Sequence, residues 1–317
     1  DSDAEWVTRW RHDHAANFPD WIKTRLIADW GKEKANDIMA ASLTPPPLDL
    51  TMAEHETADI WAEKLGGYVL PQASVRLNEG APHRLDGYAD GKWWVQDAAA
   101  TLPVRIMGDI GGKQIIDACA APGGKCAQLI ASGADVTAID QSASRLERLK
   151  ENLTRLHMDA TVINTDILSW SPDAPVDAVL IDAPCSATGT IRRNPDKLVH
   201  QKIPDITKLA ELQMAMITHA ATWLKPGGIL VFATCSLFRA EGEEIAARIA
   251  TETDLWPDAI DTHIYDGFVP YAGNDAHMLR LFPDALTYPQ NASNHIKSKN
   301  TMIHGNDGFF MARFYRR

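Results

Sequence analysis

The sequence contains no run of about 18 uninterrupted apolar residues, which argues against a helix crossing a bilayer. Residues 1–10 are polar and acidic, whereas an export signal is basic and then apolar, so a soluble, cytoplasmic protein is expected. Cysteine is scarce: Cys119, Cys126, Cys185 and Cys235 are the only four, and none are paired as CxxC. That spacing argues against a structural zinc site and against a disulfide framework, and no metal is expected. The GxGxxG pattern of dinucleotide sites and the phosphate-binding P-loop pattern are also missing. No internal repeat or low-complexity segment interrupts the chain. The formal net charge of −11 disfavours a nucleic-acid partner if only the total is considered.

The 317 residues are 45% apolar and 23% charged, a globular composition with room for two domains. The chain begins with Asp1 rather than Met, which leaves open that it is a piece of a longer protein. Three segments follow from the patterning. Residues 1–47 read as helical: Trp21, Ile22, Leu26, Ile27 and Trp30 repeat with a 3.6-residue period up to Gly31, and a second helix over 32–42 stops at three consecutive prolines. Residues 48–92 read as a small α+β unit with strands over 48–52 and 73–77 and a helix over 54–64. Residues 93–317 alternate strands (114–117, 135–140, 160–166, 176–182, 228–234) with helices (125–132, 142–156, 206–224). Near-continuous apolar strands separated by helices predict a doubly wound, mainly parallel α/β sheet covered on both faces.

In such sheets ligands bind at the carboxyl ends of the strands. The first strand runs into Cys119, Ala120, Ala121, Pro122, Gly123, Gly124 and Lys125; adjacent glycines let backbone approach a ligand, and the helix start that follows favours an electron-rich group. The second strand ends at Asp140, suited to the two hydroxyls of a ribose, and the third at Asp166, within reach of an adenine amino group. A glycine turn and two acids on consecutive strand ends, without a pyrophosphate motif, fit S-adenosylmethionine better than a dinucleotide. The fourth strand ends in Asp182-Ala183-Pro184-Cys185-Ser186 and the fifth in Thr234-Cys235-Ser236. With strand order 3-2-1-4-5 these two are neighbours, about 4.8 Å apart, so two thiols and a carboxylate converge beside the cofactor.

These segments resemble the RNA cytosine-C5 methyltransferases of the Nol1/Nop2/Sun type, most of all the bacterial 16S rRNA enzymes. The resemblance covers nearly the whole chain: residues 17–50, 94–98 (WVQDA), 117–125 (DACAAPGGK), 182–190 (DAPCSATGT), 233–236 (ATCS) and 307–313 (DGFFMAR). It implies a Rossmann-like class I methyltransferase sheet preceded by a unit similar to an RNA-recognition motif. It also implies that S-adenosylmethionine is bound by the turn from Cys119 to Lys125 and by Asp140, Asp166 and Asp182. Cys235 is then the nucleophile that adds to cytosine C6, and Cys185 assists release of the product. Addition of a thiolate makes C5 enamine-like, splitting one difficult step into two easier ones. Asp182 can contact N3 or N4 of the base.

On that reading RNA is the partner, with 16S rRNA favoured over tRNA, and Arg192, Arg193 and Lys197 are expected to bind phosphates around an extruded cytosine. Trp93 and Trp94 are expected in the core. The polar insertion 284–304, with Asn291, Asn294, His295, Lys297 and Lys299, is read as an RNA-contacting or disordered loop. Bacterial relatives often carry an N-terminal NusB-like domain, and none is visible in this sequence. Two other classes share parts of this pattern. A non-catalytic RNA-binding assembly factor is disfavoured by the two intact thiols. A DNA cytosine methyltransferase would use the thiol of the PC motif, and the TCS motif disfavours it.

Overall fold

The computed structural model describes residues 14–54, 57–273, 275–287 and 305–317. Two helices come first, α1 (Asp20–Trp30) and α2 (Lys32–Ser42), joined at Gly31, whose φ of 77° is open to glycine at little cost. Ile22 and Leu26, one turn apart on α1, and Ala35, Ile38 and Met39 on α2 are fully buried. They pack in one cluster with Leu237, Phe238 and Phe282, so this segment is docked on the loop that follows Cys235.

The small unit is a four-stranded antiparallel sheet of β1 (Leu48–Met52), β2 (Tyr68–Val69), β3 (Ser74–Leu77) and β4 (Trp93–Val95), in the order β2-β3-β1-β4. The helix α3 (Ala58–Leu65) covers one face through Ala58 and Ala62. It is shorter at its start than the sequence predicts. The unit also extends past its expected boundary at 92, because β4 pairs with β1. Successive side chains of a strand point to opposite faces. Trp93 accordingly enters the core of the small unit with Leu50 and Val75, while Trp94 enters the core of the large sheet. Both tryptophans are buried, as expected.

The large sheet contains β5 (Gln114–Ala118), β6 (Asp135–Asp140), β7 (Thr161–Asn164), β8 (Val176–Asp182), β9 (Leu224–Thr234), β10 (Leu255–Pro257), β11 (Met278–Leu281) and β12 (Phe309–Arg316). The parallel strands lie in the order β7-β6-β5-β8-β9, which is the predicted 3-2-1-4-5. On the far side of β9, β12 runs antiparallel, and β10 and β11 share its other edge. Ile115 and Ile116 of β5 illustrate two-sided burial. The first joins a cluster with Leu129 and Leu149, the second a cluster with Val179, Ile217 and Phe232.

Helices α4 (Gly124–Ala131) and α5 (Ala143–Leu156) cover one face, and α6 (Ile206–Ala221) and α7 (Glu243–Glu252) the other. Helix α5 buries Leu146, Leu149, Leu153 and Leu156 at three- and four-residue steps, each contributing about 1.5–3 kcal/mol of transfer free energy. Its start is capped by the Ser142 hydroxyl, which accepts from the Arg145 amide at 3.4 Å. Among the described residues no helix is long and apolar enough to cross a membrane. Asn291, Asn294, His295, Lys297 and Lys299 of the polar insertion lie outside the described residues. The strands flanking the insertion meet nonetheless, Leu281 opposite Phe309.

Candidate active site

A cavity of about 650 Å³ lies at the carboxyl ends of β5, β8 and β9. Its floor is the turn after β5, where Cys119 has φ 65° and Gly123 φ 108°. A Cβ at Gly123 would sit 3.1 Å from the Leu149 side chain, so glycine both permits the turn and lets α5 close against it. Cys119, Ala120, Ala121, Pro122, Gly123, Gly124 and Lys125 all line the cavity, as do Asp182 and Cys235.

The two thiols lie one behind the other. Cys235 is on the cavity wall, and the Cys185 sulfur lies 3.5 Å from the Cys235 sulfur. The contact with Cys235 first, and burial second, push the Cys185 thiol well above its ordinary value, so Cys185 carries a proton at neutral pH. The loops that carry the thiols are pinned by Gly189. Its amide donates to the Cys235 carbonyl at 2.8 Å, and a Cβ there would lie 2.7 Å from that oxygen. Cys126, in contrast, is a core residue, and burial pushes its thiol up.

Lys125 reaches across the cavity to Asp182, Nζ to Oδ2 at 2.8 Å, and sits 5.1 Å from the centre of the Phe309 ring. Burial opposes its ammonium form, but Asp182, Asp117 and Cys235 together hold it above its ordinary value. Lys125 is thus a cation held on the acid of one motif and electrostatically coupled to the sulfur of the other.

Asp117 also lines the cavity, is fully buried, and has no hydrogen-bond partner on either carboxylate oxygen. Burial pushes it up to about 8, with Lys125 opposing and Asp182 and Asp140 reinforcing. An orphaned buried carboxyl is costly and calls for a donor from outside the protein. Sequence reasoning misses Asp117 as a site residue, although it opens the motif that contains the glycine turn.

A second charged cluster also lines the cavity. Arg193 donates to Asp97 at 2.6 Å and to Asp307 at 2.8 and 3.0 Å. Burial favours neutral Asp97, yet Arg193 and Arg76 hold it below the usual carboxylate range; burial and the neighbouring Asp97 push Asp307 up. Asp97 and Asp307 were not predicted as site residues. Both stand in segments that carry the family resemblance, but only the tertiary fold brings them to one arginine.

Other predicted residues lie elsewhere than expected. Asp140 is not on the cavity wall: its oxygens accept from the Ser142 amide at 2.9 Å and the Ala121 amide at 3.2 Å, and Arg145 approaches to 3.3 Å. It anchors the glycine turn to the end of β6. Asp166 caps the short helical turn that follows it, accepting from the Leu168 amide at 3.0 Å, also off the wall. Arg192 does not present its charge to a phosphate. It is 5% exposed and donates to the carbonyls of Asn306 and Pro45, more than a hundred residues away in sequence, which a reading of local charge does not register. Lys197 is half-buried, with its ammonium on the Ala187 carbonyl and the Thr190 hydroxyl at 3.2 and 3.1 Å.

A parallel sheet in this order, with a glycine turn after its first strand and a ligand-sized cavity above it, is a Rossmann-like methyltransferase domain. Crystal structures of NSun6 from Pyrococcus horikoshii with SFG and of a methyltransferase homolog protein from the same organism share the fold. Their TM-scores are 0.76 and 0.71, at 19% and 24% identity, covering 94% and 93% of this chain and 98% and 94% of theirs. Residues 107–315 match the family model of the 16S rRNA methyltransferase RsmB/F, and the chain belongs to that family.

Ribosomal RNA small subunit methyltransferase B of Xylella fastidiosa is 36% identical over 254 residues, which are 75% of this chain and 59% of that protein. Its counterpart from Salmonella arizonae is 40% identical over 254 residues, 76% of this chain and 58% of that protein. The chain therefore spans about three-fifths of the length of these relatives. The family is S-adenosylmethionine-dependent. The cavity fits that group: the orphaned Asp117 carboxyl suits a donor-rich, cationic ligand, and the glycine turn admits one close to backbone.

Proposed function

We propose that this chain transfers a methyl group from S-adenosylmethionine to C5 of a cytosine in RNA, with 16S rRNA as substrate, through a covalent bond between Cys235 and C6. The observation that carries this reading is Cys235 on the wall of the cavity, with Cys185 3.5 Å behind it and Lys125 beside it. The rRNA assignment draws on the names of the relatives.

S-adenosylmethionine, when bound, supplies an electrophilic methyl group. The turn from Cys119 to Lys125 cradles it, Asp117 accepts from its ammonium and Asp182 meets its remaining polar groups, while Asp140 holds the turn in place from outside the cavity. The target cytosine leaves its stack to enter the cavity. The Cys235 thiolate forms a bond to C6, and the displaced ring electrons make C5 nucleophilic. Lys125 supplies a positive charge that is felt at the Cys235 sulfur. Asp182 holds the N3–N4 edge. Once C5 is methylated its proton passes to solvent, the electron pair of that C–H bond restores the C5–C6 double bond, and the Cys235 sulfur departs. Cys185, the protonated member of the pair, gives its proton to the leaving sulfur. The small sheet and Lys197 border the RNA path, in a cytoplasmic enzyme.

The test is transfer of labelled methyl from S-adenosylmethionine to unmodified 16S rRNA, followed by bisulfite sequencing of the product. A single protected cytosine in rRNA is expected. Labelling of tRNA alone would move the substrate, and no labelling of either RNA would leave a non-catalytic binding role.

A further inference from the structure

Behind the thiols lies a buried polar network that the chemistry above does not use. At its centre is Glu241, fully buried. One carboxylate oxygen accepts from the Ser186 amide at 2.9 Å and from Gln213 Nε2 at 3.2 Å; the other accepts from the Ser236 hydroxyl at 2.7 Å. Its backbone carbonyl accepts from the Thr234 hydroxyl at 3.0 Å. Ser186 follows Cys185 in the chain, and Thr234 and Ser236 flank Cys235. The two serine hydroxyls also meet each other at 3.0 Å, and Gln213 holds the Pro184 carbonyl at 2.9 Å. A buried carboxyl is costly unless its lone pairs are well used, and here neutral donors use them, two of them on the loops that carry the cysteines.

We infer that Glu241 is a positioning residue that sets the spacing of the two thiols, its side chain tying the Cys185 loop to the Cys235 loop. Strand pairing alone does not fix this distance. Asp182 pairs with Ala233, but both cysteines lie past the last paired residues, where the backbones leave the sheet. The hydrogen bonds to Ser186 and Ser236 continue the pairing beyond the strands and bring the sulfurs to 3.5 Å. The negative charge of Glu241 also adds to the forces that keep Cys185 protonated. As a device for methyl transfer, this inference rests on the function proposed above.

The spacing can be read without RNA or cofactor. Diamide takes two electrons and two protons from a pair of neighbouring thiols and leaves a disulfide, at a rate that depends on how often the sulfurs meet. In the full chain, closure of the Cys185–Cys235 pair is followed by mass spectrometry after alkylation of the remaining thiols. Glu241→Ala should slow closure at least tenfold. Glu241→Gln, which keeps an acceptor for Ser186 and a polar contact to Ser236, should remain within threefold of the parent. Ser236→Ala, a small change that deletes one contact, should slow closure several-fold and guards against a Glu241→Ala chain that does not fold. In methyl transfer, Glu241→Ala should lower kcat, referred to the folded fraction measured by circular dichroism, at least tenfold and leave KM for S-adenosylmethionine within twofold, whereas loss of fold alone leaves kcat per folded molecule unchanged. Closure at the parental rate in folded Glu241→Ala, or in Ser236→Ala, overturns the inference. Slow closure in the variants of a chain that methylates no RNA retains the positioning role and indicts the proposed reaction instead.

Discussion

Cys185 and Cys235 lie 3.5 Å apart, but only Cys235 faces the cavity. The asymmetry gives each thiol a different mutant phenotype. Cys235→Ala should abolish methyl transfer and form no covalent complex with RNA. Cys185→Ala should form the bond and fail to release it, accumulating a protein–RNA adduct visible on a denaturing gel. An adduct in the Cys235 variant instead would reverse the two roles.

Asp117 gives a pH signature. The native carboxyl holds its proton up to about 8, while an unfolded aspartate releases it near ~4. Between these values the native state binds a proton that the unfolded chain lacks, so this group's contribution to stability falls as pH rises across the window. Asp117→Asn removes that dependence, and its advantage in Tm over the parent should grow from about pH 5 to about pH 8, by roughly a few degrees. The same variant should bind S-adenosylmethionine at least ~10-fold more weakly, because a charge-assisted contact is lost. In the parent chain, affinity should rise with pH towards 8, and calorimetry in buffers of different ionisation enthalpy should detect proton release on binding.

Lys125 pairs with Asp182 and is electrostatically coupled to Cys235, the proposed nucleophile. Lys125→Met removes the cation beside the sulfur and leaves the acid without its partner. Methyl transfer should fall by roughly 10²-fold or more, and the rate of Cys235 alkylation by iodoacetamide at neutral pH should fall with it. Unchanged alkylation would show that the thiolate is stabilised by another group.

The arginine and lysine after the Cys185 loop should separate in a salt titration. Arg192→Ala should cost about 2 kcal/mol in urea denaturation, because buried carbonyls lose their donor, and leave the salt dependence of RNA binding unchanged. Lys197→Ala should leave stability near the parental value and lower the slope of log K against log salt by about 1. Equal slopes for the parent and the Lys197 variant would remove Lys197 from the RNA path.

The strand ends were legible in sequence because each carries its chemistry locally. An apolar run fixes the strand, and the residues that follow it line the cavity, as with Cys119–Lys125, Asp182 and Cys235. The sheet order followed from the alternation of strands and helices. Contacts between distant segments were not legible. Arg193 reads as one of a basic cluster until Asp97 and Asp307, about a hundred residues away on either side, are found against it. The end of the small unit was misplaced because Trp93 and Trp94 look alike in sequence, and only the pairing of β4 with β1 assigns them to different cores. Glu241 carried no signal, since one acid in a polar stretch gives no hint of burial.

The position of β12 also bears on how the molecule is assembled. It pairs with β9 along one edge and with β10 and β11 along the other, and Asp307 and Phe309 at its start form part of the cavity wall. A nascent chain that has emerged only as far as β11 holds a five-stranded parallel sheet with a bare, apolar edge at β9, the kind of edge that recruits strands from other chains. Until residues 309–316 leave the ribosome the thiol pocket lacks a side. One strand therefore both covers the β9 edge and closes the pocket, so loss of β12 would expose an adhesive edge and open the site together.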